Sequence, residues 1–430
     1  MASDIRSQLP RFIIASGMTN LADGIAMVVW AWIATLLTRD PVLVSLMPVA
    51  LRLPWVLFAL PAGIVTDRVD RKRLILAMDI LRASAFGAAT VAVALSLPLA
   101  EPSADGIARP ALFAALLACA LTIGTAEVFR DNAAQTMLPS LVPHHTLEKA
   151  NGRLWSVELV GNALLGPALG ALLIAQLVWL PFAANTVAFA LAALLILGLK
   201  GSFAPVRTDT RDARNWRSEL VEGLSYLRRA PLLRLLAVVT GFWNLFDQMV
   251  VIALVLYAQE VLGLGAQAYG LMLASAALGG IAGGVFADSI IRRFGPGASA
   301  KWAQLFSALA FAAVPFAQSA VVLALILAAF QFAGLVWNTL SVSHRQRTIP
   351  NVLLGRVNSI YRLLAWGMMP IGLLLSGALV NMAEASLPRE TALSVPFVIA
   401  AIGVLILSIA TWKPLGRGFR DAMPLEAKLL

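Results

Sequence analysis

The sequence has 430 residues and contains little cysteine, histidine or charge. Its one cysteine, Cys119, lies in an apolar run and has no second cysteine with which to form an intramolecular disulfide. The three histidines include the adjacent pair His144 and His145, and their spacing fits no metal-ligand pattern. No catalytic triad, metal site or cofactor motif is evident. We therefore expect neither an enzyme nor a bound metal or cofactor.

Charged residues make up only 13% of the chain, whereas soluble domains contain about a quarter. Hydrophobic residues make up 60%, and many apolar runs exceed the roughly 18 residues that indicate a membrane span. This composition excludes an ordinary soluble domain and predicts a membrane protein. The chain also lacks a Gly-Lys pair, so it has no P-loop with which to hydrolyse ATP.

Twelve apolar stretches are long enough to cross about 30 Å of hydrocarbon as helices. Helices are expected because a backbone in lipid must satisfy its own hydrogen bonds. The predicted fold is an all-α membrane protein with twelve transmembrane helices, at 12–37, 42–66, 74–98, 110–134, 150–175, 178–199, 233–258, 267–287, 299–318, 320–342, 357–382 and 394–412.

The lysines and arginines divide unequally between the two sides of these spans. Of the 33, 26 lie on the side that carries both termini, three lie on the other side, and four lie within spans. An excess of positive charge marks the cytoplasmic side, so both termini are predicted to be cytoplasmic. The net charge of +10 is therefore a topology signal, and we expect no nucleic-acid partner.

One long polar segment, 201–231, divides the chain into two halves. Its second part has apolar residues at helical spacing, which predicts an amphipathic helix on the inner surface. The predicted domains are a six-helix bundle at 1–200, this linker, and a six-helix bundle with a cytoplasmic tail at 232–430. The halves share short matches in order, such as Asn-Leu-x-Asp at 20–23 and again at 244–247, which indicates an internal duplication.

Three stretches resemble the major facilitator superfamily. The loop after span two reads Gly-x3-Asp-Arg-x2-Arg-Lys-Arg and is similar to the superfamily signature, and GNALLGPALGALL (161–173) is similar to the glycine–proline motif of its exporters. RLPWVLFALPAGIVTDRVDRKR and LPSLVPHHTLEKANGRLWS resemble the branch that contains the enterobactin exporter and macrolide-efflux proteins. The resemblance implies two pseudo-symmetric bundles and a secondary active transporter.

The resemblance also implies that the signature loop is an inner gate, which latches the two halves on the cytoplasmic side. Its residues are Gly63, Asp67, Arg68, Arg71, Lys72 and Arg73. We expect Asp67 to face basic groups or a helix N-terminus, and Gly63 to permit the close approach of another helix. The alternative is that the three consecutive basic residues only anchor the topology.

A second, degenerate copy of the signature is predicted as a second gate at Gly284, Asp288 and Arg292. It departs from the family pattern because Ser289 follows the aspartate, where the superfamily signature has arginine. In the first copy, Asp70 stands where many members of the superfamily have glycine.

Ionised groups in the membrane cost about 2.5–3.5 kcal/mol each, so the charges within spans require an explanation. Near the inner ends of spans three and four, Asp79 and Arg82 lie at i,i+3, as do Glu127 and Arg130, and we expect each pair to form an ion pair. An inner polar network, structural or gating, is predicted from Asp79, Arg82, Glu127, Arg130, Asp131 and, in the other half, Arg362.

Three deeper acids, Asp23, Glu158 and Asp247, are candidates for proton coupling. A carboxylate in a low-dielectric interior can bind and release a proton near neutral pH. The alternative is a neutral, hydrogen-bonded acid or one that pairs with Arg52 in span two.

Two further sets complete the predicted site. Gly161, Gly166, Pro167 and Gly170 would bend span five, either as the exporter hinge that the resemblance implies or as ordinary small-residue packing. The candidates for lining a cavity are Asn20, Arg52, Trp243 and Asn244.

These observations predict a proton-coupled exporter of amphipathic small molecules, such as a drug, a macrolide-like compound or a siderophore, that works by alternating access. We expect a multi-pass protein of the bacterial inner membrane that acts as a monomer, with the lipid bilayer and a small molecule as its partners and the proton gradient as its energy source. The alternatives are an importer of a polar solute and, more remotely, a non-transporting receptor or scaffold.

Overall fold

A computed structural model describes residues 2–66, 68–104, 106–142, 147–201, 203–204 and 216–421. Their regular secondary structure is helical, with one isolated bridge between Thr38 and Ser103, and turns and short loops join the helices. Eleven of the helical segments are long and apolar enough to cross a membrane. The all-helical membrane fold is therefore confirmed for the part of the chain that is described.

The chain divides into two compact units. The first comprises Met1–Thr208 and Gly263–Ala274. Its helices are α1 Ala2–Thr35, α2 Pro41–Thr66, α3 Arg71–Leu95, α4 Pro110–Leu141, α5 Leu147–Glu158, a π-helix Leu159–Leu165, α6 Gly166–Gln176 and α7 Leu180–Leu197.

The second unit comprises Asp209–Leu262 and Ser275–Leu430. The helices that follow α7 are α8 Trp216–Arg229, α9 Pro231–Glu260, α10 Ala266–Phe294, α11 Pro296–Ala313, α12 Ala320–Thr348, α13 Asn351–Trp366, α14 Met369–Glu384, α15 Arg389–Ala392 and α16 Val395–Asp421. Helix α8 is the amphipathic helix predicted in the linker.

The ninth predicted span, 299–318, corresponds to α11 and the 3₁₀ turn Val314–Phe316 that follows it. Among the described helices that match the twelve predicted spans, this one is not apolar enough to be identified as a membrane span from length and composition alone. The reason lies in the first turns of α11, which carry Lys301 and the buried Gln304. The count of twelve spans is therefore consistent with the described helices, and eleven of them qualify by length and composition alone.

Two spans are interrupted at corresponding places. Span five changes from α-helix to π-helix at Leu159–Leu165, and span eleven breaks at 367–368 between α13 and α14. Proline follows each interruption, at Pro167 and Pro370, and it removes a backbone donor that a regular helix would use. Both duplicated halves therefore carry a break in their fifth span.

Small residues allow the backbones of these interrupted spans to come close to their neighbours. A Cβ atom placed on Gly24 of α1 would lie 2.6 Å from the carbonyl oxygen of Asn162, in the π-helix. A Cβ on Gly166 would lie 2.5 Å from Cα of Gly24. In lipid, where burial of apolar surface drives little helix association, such close backbone packing holds helices together.

Candidate functional site

Helices α1 to α4 bring charged side chains together inside the first unit. Arg82 on α3 forms an ion pair with Asp23 on α1, and the two side chains are 1% and 20% exposed. The Arg82 guanidinium also lies 4.0 Å from the centre of the Phe189 ring on α7. A buried arginine is thus held between a carboxylate and the face of an aromatic ring, two environments that stabilise its positive charge.

A second buried arginine, Arg130, joins α4 to α3. Its Nε donates to Oδ1 of Asp79 at 3.3 Å, and its Nη1 donates to Oδ1 of Asp131 at 3.5 Å. Asp79 is fully buried and Arg130 is 4% exposed. Such a pair contributes little net stability when formed, but removing one partner leaves an uncompensated charge in the interior.

Glu127 and Arg52 extend this network to α2. Glu127 lies within electrostatic reach of Asp23, Arg82 and Arg52. Helices α2 and α4 can cross closely there because Gly124 has no side chain, and a Cβ on it would lie 2.9 Å from the carbonyl carbon of Leu51. We call the resulting cluster the charge network, which consists of Asp23, Arg52, Asp79, Arg82, Glu127, Arg130 and Asp131.

The charge network contains four carboxylates and three guanidinium groups. If every group were ionised, the network would carry one net negative charge in a low-dielectric interior, which is unfavourable. One bound proton would make it neutral. The composition of the cluster therefore suits it to holding and releasing a single proton.

The network pairs its charges differently from the sequence-based expectation. Arg82 pairs with Asp23 instead of Asp79, and Arg130 pairs with Asp79 and Asp131 instead of Glu127. Residues at i and i+3 share one helix face, but here that face is packed against another helix. An aspartate on a facing helix therefore replaces the acid at i−3, and Arg130 has a second, longer contact with Asp131 on α4 itself.

Several polar atoms in the network have no hydrogen-bond partner among the described residues. They are Oδ2 of Asp79, Nε and Nη1 of Arg82, and Nη2 of Arg130, and all four are buried. Buried polar atoms are usually paired, and exceptions often mark functional sites. The network thus retains donors and acceptors with which its members can change partners.

Two asparagines form hydrogen bonds to the backbone of α1 close to Asp23. Asn20, predicted to line a cavity, donates to the carbonyl of Ser16 at 2.8 Å within its own helix. Asn185 on α7, which the sequence analysis did not select, is buried and donates to the carbonyl of Ala22 at 2.9 Å. A lone asparagine in the apolar span six was the available signal. Its hydrogen bond fixes α7 against the helix that carries Asp23.

The predicted hinge residues of span five lie against α1 beside this network. Gly161 is in the π-helix, and Gly166, Pro167 and Gly170 begin α6. A Cβ on Gly170 would lie 2.7 Å from the carbonyl oxygen of Ile25. Glu158, the last residue of α5, is exposed. The contacts of the span-five glycines show that they permit close packing against α1. The π-helix in addition gives span five an irregular segment next to Asp23.

In the second unit, the residues that correspond to Asn20 and Asp23 have different partners. Asn244 donates to the carbonyl of Ala365 on α13 at 3.0 Å, close to the break in span eleven. Asp247 is half-buried and accepts a hydrogen bond from Nε2 of Gln248 at 2.9 Å. The repeated Asn-Leu-x-Asp pattern thus lies beside the interrupted span in both halves.

The indole of Trp243 is buried in the second unit. Its ring lies 5.5 Å from that of Trp337 and 6.3 Å from that of Phe330. Trp243, a predicted cavity residue, thus packs within a cluster of aromatic rings.

Beside Trp243 lies a group of hydroxyls that the sequence analysis missed. Nε1 of Trp337 donates to Oγ1 of Thr240 at 3.1 Å, and the Tyr361 hydroxyl lies 2.7 Å from that oxygen and 2.9 Å from Oγ of Ser341. The guanidinium carbon of Arg345 lies 3.7 Å from the centre of the Tyr361 ring.

Arg362, which was predicted to belong to the inner polar network, is exposed, and its guanidinium lies 5.4 Å from the centre of the Trp366 ring.

The signature loop is fastened to the beginning of the linker. Asp70 caps α3 through Arg73, whose backbone nitrogen donates to Oδ1 at 3.1 Å, and its Oδ2 accepts from the nitrogen of Phe203 at 2.9 Å. Nζ of Lys72 donates to the carbonyl of Leu199 at 2.6 Å. We call residues 199–201 and 203–204 with these bonds the linker strap. Phe203 anchors it in a hydrophobic core cluster with Phe12 and Ile75, at the end of the unit that is predicted to be cytoplasmic.

The remaining signature residues occupy different surroundings. Asp67 lies outside the described residues, and the side chains of Arg68 and Arg73 are exposed. The nitrogen of Arg71 donates to the carbonyl of Phe203 at 3.3 Å. A Cβ on Gly63 would meet no atom of the described residues within 4 Å, so the expected close approach of a helix at Gly63 is not seen among them.

The second copy of the signature lies on a helix instead of a loop. Asp288 and Arg292 are both on α10 and form an exposed i,i+4 pair at 2.5 Å. Gly284, one turn earlier, has open space around it. The residue that corresponds to Asp70, the N-cap of α3, is Ile291, which cannot cap a new helix, and α10 continues to Phe294, before Gly295 with its φ of 79°.

No group of three or more potential metal ligands occurs among the residues that the structure describes.

Comparison with known proteins identifies relatives along nearly the whole chain. The model of the transmembrane secretion effector family matches residues 3–421. The multidrug efflux pump Tap of Mycolicibacterium fortuitum is 25% identical over 425 residues, which cover 95% of this chain and 97% of the relative. The pump Tap of Mycobacterium tuberculosis is 27% identical over 393 residues, covering 87% and 88%.

Solved structures with a similar fold are also transporters. A bacterial homologue of the iron transporter ferroportin in an inward-facing state has a TM-score of 0.73 at 17% identity, covering 96% of this chain and 98% of that one. A mutant of the nucleoside transporter NupG has a TM-score of 0.74 at 11% identity, covering 96% of this chain and 99% of that one. At these identities the likeness establishes the fold alone.

Proposed function

Because the chain belongs to the transmembrane secretion effector family of the major facilitator superfamily, we propose that it exports amphipathic small molecules in exchange for protons. It is a multi-pass membrane transporter of small molecules. The finer proposal is a bacterial inner-membrane exporter of a drug, a macrolide-like compound or a siderophore, working by alternating access as a monomer with both termini in the cytoplasm. The names of its relatives, which are multidrug efflux pumps, support export.

The excess of one carboxylate over the guanidinium groups in the charge network is the observation that supports proton coupling. Asp23 is the accessible partner of its ion pair, since the Asp23 side chain is 20% exposed and the Arg82 side chain is 1% exposed. A proton that binds Asp23 removes the negative charge from this pair and weakens the bond between α1 and α3. Protonation would thereby alter the packing beside the π-helix of span five, where the backbone is already irregular.

The proton gradient supplies enough energy for this task. One proton that crosses a potential of about 100 mV releases about 2.3 kcal/mol. Since about 1.4 kcal/mol corresponds to a tenfold ratio, one proton for each substrate supports a gradient of roughly fifty-fold. No nucleotide is needed for efflux on this scale.

The test is efflux from cells that express the chain, loaded with a panel of amphipathic fluorescent dyes, macrolides and catechol siderophores. We expect lower retention of at least one compound than in cells without the chain, and we expect an uncoupler to abolish the difference. Accumulation in place of loss would contradict export and indicate the importer of a polar solute.

Coupling is tested with Asp23→Asn, which removes the titratable group. We expect uncoupler-sensitive efflux to fall by at least about tenfold, whereas Glu390→Gln, an exposed carboxyl-to-amide control in α15, should behave as the parent. Asn at this position leaves Arg82 buried without its carboxylate, so Asp23→Asn/Arg82→Gln is the second variant. Proton-driven efflux in a well-expressed double variant would refute the assignment of Asp23.

A further inference from the structure

A groove of about 630 Å³ lies in the second unit, between the first turns of α9 and the last turns of α12 and α16. All three helix ends lie on the side predicted to be cytoplasmic. The groove is separate from the charge network, which belongs to the first unit. The proposed transport mechanism uses none of its residues.

The deeper wall of the groove is apolar. Leu232, Leu235 and Val238 of α9 line it, and Val238 is 44% exposed. Leu235 and Val238 lie inside the apolar stretch 233–258 that predicts span seven. This wall therefore lies at the depth of the hydrocarbon of one leaflet.

The mouth of the groove is basic. Arg234 of α9, His344 of α12 and Arg417 of α16 line it, with Asp421 as the carboxylate among the lining residues. His344 and Arg417 lie beyond the apolar stretches 320–342 and 394–412, and Arg234 is at the boundary of its own. Arginines from two helices thus meet at the level of the lipid headgroups, at the end of the apolar wall, beside the His344 imidazole, whose pKa is lowered by burial and by Arg347.

The positions of the two arginines leave them able to bind an anion at the mouth. Nη1 of Arg234 donates to the carbonyl of Arg228 at 3.2 Å, which fixes the side chain and leaves its other nitrogens available. Arg417 is exposed. Two guanidinium groups that line one groove favour a phosphate, which accepts several charge-assisted hydrogen bonds at once.

We propose that this groove binds an anionic phospholipid of the cytoplasmic leaflet. The phosphate lies between Arg234 and Arg417, and an acyl chain follows Leu235 and Val238 into the membrane. Free phosphate would use only the mouth, and a zwitterionic lipid would bring a cation to a basic site. The combination of basic mouth and apolar wall therefore favours a lipid that is both anionic and chain-bearing.

A lipid in this position would contact the inner ends of α9, α12 and α16. It would hold together three helices that approach one another through small residues, as at Gly418, where a Cβ would lie 2.8 Å from Cδ1 of Leu232. We therefore expect the bound lipid to stabilise the second unit against unfolding.

The experiment titrates the purified full chain in detergent with phosphatidylglycerol or with phosphatidylcholine of the same acyl chains. Bound lipid is counted by native mass spectrometry, and unfolding is followed by a thermal shift. We expect phosphatidylglycerol to bind more tightly and to raise the unfolding temperature. Arg234→Gln/Arg417→Gln should weaken this binding by at least about tenfold, because each basic residue near an anionic lipid contributes favourably.

The matched control is Arg153→Gln/Arg293→Gln, which removes two exposed arginines elsewhere on the same predicted side. It should bind phosphatidylglycerol as the parent does. If the first double variant fails to fold, Arg417→Gln alone, at an exposed position, serves in its place. Equal binding of the two lipids, an equal loss in the control, or displacement of the lipid by millimolar inorganic phosphate would overturn the proposal. No transport is measured, so the result is independent of the proposed export.

Discussion

Asp70 serves two segments of the chain with one side chain. One carboxylate oxygen caps α3, and the other accepts the backbone nitrogen of Phe203 in the linker strap. Many members of the superfamily that the sequence resembles have glycine at this position, which can satisfy neither donor. The aspartate therefore ties the signature loop to the linker in this chain, and Lys72 strengthens the same connection through the carbonyl of Leu199.

We predict that Asp70→Ala lowers the unfolding temperature in detergent, because it removes both hydrogen bonds. The loss of a helix cap alone costs about 0.5–2 kcal/mol. Asp70→Asn should fall between Ala and the parent, since asparagine also caps helices but lacks the charge. Asp288→Ala is the control, because its ion pair with Arg292 is 71% exposed on each side and contributes little. Equal effects of the two alanine variants would contradict the role given to Asp70.

At the scale of elements, the crossing of span five with α1 depends on the absence of side chains. The glycines of span five meet the backbone of α1 at Gly24 and Ile25, immediately after Asp23. The pairing of Asp23 with Arg82 therefore depends on the close packing of span five against α1, which holds α1 in place. A shift of this crossing would reach the charge network directly.

Gly166→Ala is predicted to destabilise the protein by about 1–3 kcal/mol, because the new methyl group would meet backbone atoms that cannot move aside as a side chain can. Gly152→Ala in α5 of the same span is the control. A Cβ there meets nothing within 4 Å among the described residues, and alanine favours the helix over glycine. Thermal unfolding of the two variants measures the difference. A Gly166→Ala variant as stable as Gly152→Ala would show that the crossing tolerates a wider spacing.

The duplicated halves share this element-level plan but differ in chemistry. Each has an interrupted fifth span beside an Asn-Leu-x-Asp segment, yet the buried arginines of the network lie in the first half. In the second half, the corresponding region contains the hydroxyl group cluster around Tyr361. The buried charges therefore belong to the first half, and neutral hydroxyls and aromatic rings take their place in the second.

At the scale of the whole molecule, the distribution of lysine and arginine predicts the orientation in the membrane. The single cysteine makes this easy to test, since Cys119→Ala gives a cysteine-free background. In intact cells, Ser386→Cys should react with a membrane-impermeant maleimide, because it lies in the loop with Arg389 on the predicted outer side. Ser289→Cys should react only after the cells are opened. Both serines are exposed, so access depends on the side of the membrane. The reverse pattern would invert the topology.

The family resemblance and the all-helical membrane fold, both expected from the sequence, are confirmed, while the orientation and the roles of the site residues stay predictions. Span positions were predictable because a helix in lipid forms its own hydrogen bonds and needs only a sufficient apolar length, which are local properties. The inner ends of α4, α10 and α12 extend past the predicted boundaries, since the helix continues into water where hydropathy no longer marks it.

By itself the sequence determined that this chain is a bundle of membrane helices, because apolar length is a local property, whereas the internal duplication and the functional charges stay predictions. Only the tertiary structure decided which charges meet. Arg82 has an aspartate three residues away and instead pairs with Asp23, 59 residues away. The choice of partner depends on which helix faces which, and that is fixed by backbone contacts at glycines such as Gly24 and Gly166. No local pattern contains this information, because it arises only when the helices pack.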